Sequence, residues 1–204
     1  MKKALVFAAA LAACGAAQAT GVGVRIGTTG LGVDVAQNLM PTLDARVGYS
    51  GGSWGYDSST SGASYTGDIK LSNLNALLDF HPLGPLFRLT GGVIFNKNKY
   101  EATGTPNGQA GSFNATVESG KTAAPYLGIG WGNVAGMGVN FYADLGVMFM
   151  GTPKATISAN CSGLSGAQCT SLQNQVANEQ QNLQDKLDRF KAYPVLNIGL
   201  TIGF

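Results

Sequence analysis

Seven charged residues lie inside apolar, strand-like stretches of this chain, and all seven fall on the parity opposite to the large apolar side chains. They are Arg25, Asp34, Asp44, Arg46, Asp79, Arg88 and Asp144. Val22, Val24 and Ile26 alternate with Gly23, Arg25 and Gly27, and Leu31, Val33 and Val35 alternate with Gly32, Asp34 and Ala36. The pattern recurs in Leu43–Tyr49, Leu74–Phe80, Phe87–Phe95, Leu127–Trp131 and Phe141–Phe149, and in a last segment where Leu196, Ile198, Leu200, Ile202 and Phe204 share one face. Period two with one oily face and one small or polar face describes a β-strand between two unlike media.

A soluble sandwich turns its charges outward, so a chain that points oil outward and charge inward needs hydrocarbon around it. Eight antiparallel strands, an even number, close into a barrel with both ends on one side and leave no unpaired edge in lipid. After residue 19 no apolar run reaches 18 residues, so the crossing cannot be helical. The expected fold class is all-β, an eight-stranded antiparallel transmembrane β-barrel over residues 20–204 with one amphipathic helix in a long extracellular loop. Composition agrees: 12% charged residues and 30 glycines among 204 argue against an ordinary soluble enzyme, a coiled coil or a disordered tail. Aromatics at strand ends fit interfacial girdles, with Phe80, Phe87, Trp131 and Phe204 at one end and Tyr49, Trp54, Phe95 and Tyr100 towards the other. Ile69 and Leu71 are out of phase with Leu74–Phe80, which predicts a bulge near Ser72-Asn73.

Residues 1–19 read as a cleaved signal peptide, with Lys2 and Lys3, an apolar run from Ala4 to Ala13, and Ala17-Gln18-Ala19 before the cut. Leu11–Gly15 also resembles a lipoprotein box that would leave Cys14 as a lipidated terminus; the well-formed site five residues later favours cleavage after Ala19. Loss of the two lysines balances the charges, and nothing calls for nucleic acid.

The signal peptide, the eight alternating segments and a C-terminal Phe204 preceded by alternate apolar residues together resemble the small Gram-negative outer-membrane barrels of the OmpA, OmpX and OmpW kind. The stretches GTTGLGVDVAQNL and LLDFHPLGPLFRLTGGV look like a subfamily of such barrels for which no substrate follows. The resemblance implies an outer-membrane location and recognition of Ile198, Leu200, Ile202 and Phe204 by the outer-membrane assembly machinery. With the barrel expected to run to Phe204, no peptidoglycan-binding domain is expected.

Eight strands enclose a lumen that side chains fill. Arg25, Asp34, Asp44, Arg46, Asp79, Arg88 and Asp144 are therefore expected to form a buried ion-pair network, with Asp44 beside Arg46 on one strand and Asp79 and Arg88 flanking one turn. An ion path is the alternative. Turns at Met40-Pro41, Pro82–Pro85 and Ala135–Gly138 belong to the periplasmic side. Asp57–Thr66 and Gly104–Gly111 read as extracellular loops, and Gly151–Phe190 as the longest of them. In that loop Cys161 and Cys169, the two cysteines left after signal removal, are expected to pair in an oxidising compartment. From Ser171 to Lys191, Leu172, Val176, Leu183, Leu187 and Phe190 mark an amphipathic helix, either a lid on the barrel mouth or a docking face. Lys97, Lys99 and Lys121 continue the outward parity beyond the apolar band, where they would meet lipopolysaccharide phosphates or simply be solvated.

No catalytic, cofactor or metal site is expected. His81 is the one histidine and lies in a Pro-flanked turn, without the serine on the same strand face that an acyl-transfer site needs. Gly27–Gly32 lacks the Lys-Ser/Thr ending of a phosphate loop. Two roles stay open: a surface or envelope protein working through its loops with a plugged lumen, and an OmpW-like narrow channel for small or apolar solutes.

Overall fold

The computed structural model describes residues 19–59, 63–84, 86–106 and 111–204; residues 1–18 of the expected signal peptide, Cys14 among them, lie outside this set. The alternating segments become β1 (Thr20–Gly27), β2 (Gly30–Met40), β3 (Leu43–Ser59), β4 (Ala63–Phe80), β5 (Phe87–Asn96), β8 (Ala123–Trp131), β9 (Gly138–Met148) and β11 (Tyr193–Gly203). These eight form a closed antiparallel ring. Each pairs with the next around it, and β11 closes on β1, where Val22 opposes Ile202 and Val24 opposes Leu200. Thr20 and Phe204 exchange both backbone hydrogen bonds at 3.0 Å, so both ends of the ring sit on one side.

Exposure follows the predicted parity. Val24, Leu31, Val33, Leu127, Phe141 and Ile198 are all exposed, whereas Arg25, Asp34, Asp44, Arg46, Asp79, Arg88 and Asp144 are buried. Among the described residues no helix is long and apolar enough to cross a membrane. Phe87 and Trp131 are cross-strand partners with rings edge to face at 6.4 Å, in the girdle at the end that carries the termini.

At the other end the wall does not stop at the ring. Three further strands, β6 (Lys99–Pro106), β7 (Ser112–Glu118) and β10 (Lys154–Asn160), prolong β5, β8 and β9 outward. With the distal halves of β3 and β4 they make a five-stranded sheet ordered β3-β4-β6-β7-β10. Much of what reads as loop in the sequence is therefore strand. Within Asp57–Thr66, residues 57–59 pair with 64–66, and residues 60–62 lie outside the described set; within Gly104–Gly111, residues 104–106 are strand and 107–110 lie outside it.

The bulge expected near Ser72-Asn73 is absent. The β3–β4 ladder runs without a shift from Leu43–Phe80 to Ser59–Ser64. Ile69 and Leu71 keep the inward parity of Asn73 because, beyond the ring, the inward side of the sheet is itself apolar. The irregularity lies instead in β2, between Asn38 and Met40. Trp54 and Tyr100 leave the girdle for the same reason: they join Ile69, Val117 and Ala155 in one inward-facing row across the five strands.

One helix, α1 (Gly166–Leu187), runs beside β10. It starts five residues earlier than the apolar stripe suggests, because the Ser165 N–H donates to Gln168 Oε1 at 3.0 Å and holds the first turn. Leu172, Val176, Leu183 and Leu187 are its half-buried side, and Phe190 lies exposed beyond its end.

Candidate functional site

The lumen is filled by three polar groups and an apolar plug. In the central group two arginines share two carboxylates. Arg46 lies 2.9 Å from Asp79 and 2.7 Å from Asp144, while Arg88 lies 2.6 Å from Asp144 and 3.4 Å from Asp79. The Tyr142 ring packs against both guanidiniums, at 5.5 and 5.1 Å. Two cations and two anions balance there, which is what allows charges to be buried at all.

Tyr142 also links this group to the second, donating its hydroxyl to Asp34 Oδ2 at 2.7 Å. Asp34 is paired with Arg25 at 2.5 Å, and Arg25 reaches Ser50 and Asn75 at 3.1 and 3.2 Å. The third group corrects an expectation. Asp44 is not bound to its strand neighbour Arg46 but to His81 Nε2 at 2.9 Å, and it accepts from Asn38 at 2.8 Å. The Arg46 guanidinium is instead engaged by Asp79 and Asp144 across the lumen, which leaves Asp44 to His81. Thus the seven charged residues are all brought into the lumen, with His81, Tyr142, Ser50 and Asn75 as partners that charge parity alone does not identify.

Leu77, Ile94, Tyr126, Met148 and Val195 occupy the rest of the interior towards the outer end, with Met150 and Tyr193 packed on them. The chain closes the opposite end with the connection between β8 and β9. Residues 132–137 turn back into the ring, so that Val134 and Ala135 are buried against Ala36 and Tyr142. This connection reads as a simple turn in the sequence; it is a stopper. Between Arg25, Asn73 and Tyr126 a void of about 10 Å³ remains, of a size for at most one water molecule.

The outer sheet has two unlike faces. The inward one carries Trp54, Tyr56, Ile69, Tyr65 and Phe113, the last two ring to ring at 6.4 Å. Tyr100 is half-buried there, and burial with Tyr193 nearby pushes its hydroxyl up to about 12. The outward face carries charge. Glu101 bonds Lys70 and lies 2.9 Å from Lys99, which also approaches Glu118 at 3.7 Å. The hydrogen bonds from Lys70 and Lys99 hold the Glu101 carboxyl down at about 2, and Glu101 in turn raises Lys99.

The lysines read together in the sequence are thus not equivalent. Lys99 is neutralised by two glutamates, whereas Lys97 and Lys121 are exposed without an ion pair to any described residue. The Lys121 stem lies across Gly151.

The free side of β10 is closed by α1. Gln184 Oε1 accepts from the Ala155 N–H and Gln180 Oε1 from the Ile157 N–H, each at 3.0 Å, and Gln184 Nε2 donates to the Pro153 carbonyl at 3.0 Å. One turn apart on the helix, the two glutamines stand where a further strand would supply backbone groups. Cys161 and Cys169 form the expected disulfide, with Cα atoms 5.3 Å apart, and tie the end of β10 to the first turn of α1. Ile198, Leu200, Ile202 and Phe204 lie along the outward face of β11, half-buried at Leu200 and exposed at the other three.

No family model matches the chain, and no curated protein matches it significantly. Solved structures do. Acinetobacter baumannii CarO2 superposes with a TM-score of 0.65 at 18% identity over 91% of this chain and 98% of that one. CarO of the same organism gives 0.64 at 19% identity over 90% and 97%. At that level of identity the likeness is one of fold, that of a closed antiparallel β-barrel.

Proposed function

We propose that this protein is a non-enzymatic outer-membrane barrel that acts at the cell surface, in surface interaction or envelope integrity, rather than by passing solutes. The observation that supports this most is the division of labour along the barrel axis. The lumen is occupied by ion pairs, an apolar plug and a folded-in stopper, while the chain beyond the ring is built into a sheet, a helix and a disulfide. A diffusion pore has no use for the first arrangement, and a passive membrane anchor has none for the second. The side carrying the outer sheet is extracellular on this reading, because both ends of the ring and the connections after β2, β4 and β8 lie opposite it. The terminal file Ile198, Leu200, Ile202 and Phe204 then serves as the signal for the assembly machinery.

Planar-bilayer recording of the refolded mature chain tests the proposal, with the Cys161→Ser/Cys169→Ser variant run beside it. A folded barrel is expected to be silent in both forms. Reproducible small steps, altered when the disulfide is removed, would overturn the proposal in favour of a gated narrow passage.

A further inference from the structure

Opposed lysines cross the outward face just beyond the apolar belt. Lys70 stands opposite Lys99 in the β4–β6 ladder. Like charges so placed repel, and Glu101, which contacts both, removes the conflict. One level closer to the belt the same situation recurs without its remedy. The β5–β8 ladder ends at Phe95–Ala123 and is carried one step further by the Asn96 N–H bonded to the Thr122 carbonyl at 2.7 Å. Lys97 and Lys121 are the next residues of the two chains beyond that step, and among the described residues no carboxylate pairs with either.

Immediately below Lys97 on the same file of β5 is Phe95, and from there an apolar groove of about 820 Å³ runs down the outside of β3, β4, β5 and β8. Ala45, Ala76 and Gly91 keep its floor low, between taller Leu78, Phe95 and Leu127. At this depth the material available to fill such a groove is hydrocarbon. A hydrocarbon groove whose last lining residue on β5, Phe95, stands one file position below one uncompensated ammonium group, with a second on the neighbouring strand, is complementary to a molecule with an acyl chain and an anionic phosphate head.

We propose that Lys97, Lys121 and this groove form one binding site for a phosphorylated, acylated lipid of the outer leaflet. The phosphate is held by the two lysines, and one acyl chain lies over Ala76 and Gly91. The site narrows the lysine cluster read from the sequence, since Lys99 drops out and the groove enters. It rests on the outer-membrane reading above, in that the lysines must face the outer leaflet.

The test is native mass spectrometry of the refolded chain in mixed micelles containing lipid A, monitored for retained lipid, with insertion into vesicles checked separately. Wild type is expected to retain one lipid A. Lys97→Gln/Lys121→Gln and, independently, Ala76→Trp are each expected to reduce retention about tenfold or more, while Lys70→Gln/Lys99→Gln leaves it unchanged. Dephosphorylated lipid A is expected to be retained poorly, and inorganic phosphate is expected not to displace the lipid. Equal retention by the Lys97→Gln/Lys121→Gln variant overturns the proposal, as does equal retention of phosphatidylethanolamine, which would mean an ordinary lipid annulus. Displacement by inorganic phosphate overturns it too, in favour of a bare anion site. Failure of the wild type to insert into vesicles would instead count against the outer-membrane reading itself.

Discussion

Arg46 donates through Nη1 to Asp144 Oδ2 at 2.7 Å across the lumen, although 98 positions separate the two residues. Asp144 is shared, because Arg88 binds its other oxygen at 2.6 Å. Removing this one carboxylate leaves two buried guanidiniums facing a single aspartate, Asp79. Breaking a buried pair in this way costs about 3–5 kcal/mol. Asp144→Leu is therefore expected to lower the unfolding free energy by roughly that amount, read from urea titration of the refolded barrel in micelles. Arg88→Leu added to it is expected to restore part of the loss, because the second change removes the cation the first one stranded. An Asp144→Leu barrel as stable as wild type would mean that the quartet does not hold the strands together.

The glutamines on α1 make a different prediction, confined to the outer sheet. Gln180 and Gln184 satisfy the β10 backbone where no strand follows. A hydrogen bond of this type contributes about 0.5–1.5 kcal/mol, so Gln180→Ala/Gln184→Ala is expected to loosen β10 and α1 without affecting the ring. Hydrogen exchange at the Ala155 and Ile157 amides should quicken by about ten- to a hundredfold, as two such bonds imply, while Leu200 and Ile202 stay protected. Unchanged exchange at Ala155 would show that packing of Leu183 and Leu187, not the glutamines, holds the helix.

Acid acts on the outward face. Glu101 has its carboxyl lowered to about 2, first by the hydrogen bond from Lys70 and then by that from Lys99. A carboxylate whose folded pKa lies below its unfolded value contributes stability that is complete above the unfolded pKa, about 4.3, and is lost as pH falls through the folded one. The outer sheet is thus expected to hold at neutral pH and to weaken between about 4.3 and 2. Trp54 fluorescence across that window follows it, with Trp131→Phe to isolate the signal. In Glu101→Gln the acid transition is expected to flatten, because Lys70 and Lys99 have already lost their shared partner; a transition identical to wild type would place its origin elsewhere.

The ring was legible because its rule is strict: a charge beside lipid is so costly that Arg25, Asp34 and Asp79 had to share one parity with glycines, and large apolar residues the other. The outer sheet obeys a weaker rule. Its strands are rich in Ala102, Gly104, Ala115, Ser158 and Ala159, whose small side chains blur the alternation, so that the end of β6 and all of β10 read as loop and β7 gives no strand signal. Pairings across the lumen were hidden for another reason. Asp44 and His81 lie 37 positions apart, and only the β3–β4 register brings their strand ends together. The stopper at 132–137 could be suspected only from Val134 and Ala135, two apolar residues in a stretch where a solvated turn has no use for them.

Gly21 shows how that stopper is seated. It occupies an inward position at the start of β1, and a Cβ there would run into the Val134 carbonyl and the Cα of Ala135. Both obstacles are backbone, so no side-chain rotation relieves the overlap. The ring around Gly21 is fixed by ladders to β2 and β11, and the movable partner is the 132–137 connection. Gly21→Ala is therefore expected to push Val134 and Ala135 out of the barrel end and expose Ala36 and the edge of Tyr142. Overpacking of this kind costs about 1–3 kcal/mol. A lower thermal midpoint for the refolded variant is the first readout. Conductance is the second, and it separates the two closures: with Leu77, Tyr126 and Val195 still packed at the outer end, the variant is expected to be less stable yet still silent. Steps of current in Gly21→Ala alone would show that the stopper was the one effective seal, and an unchanged midpoint would show that the connection yields freely at that end.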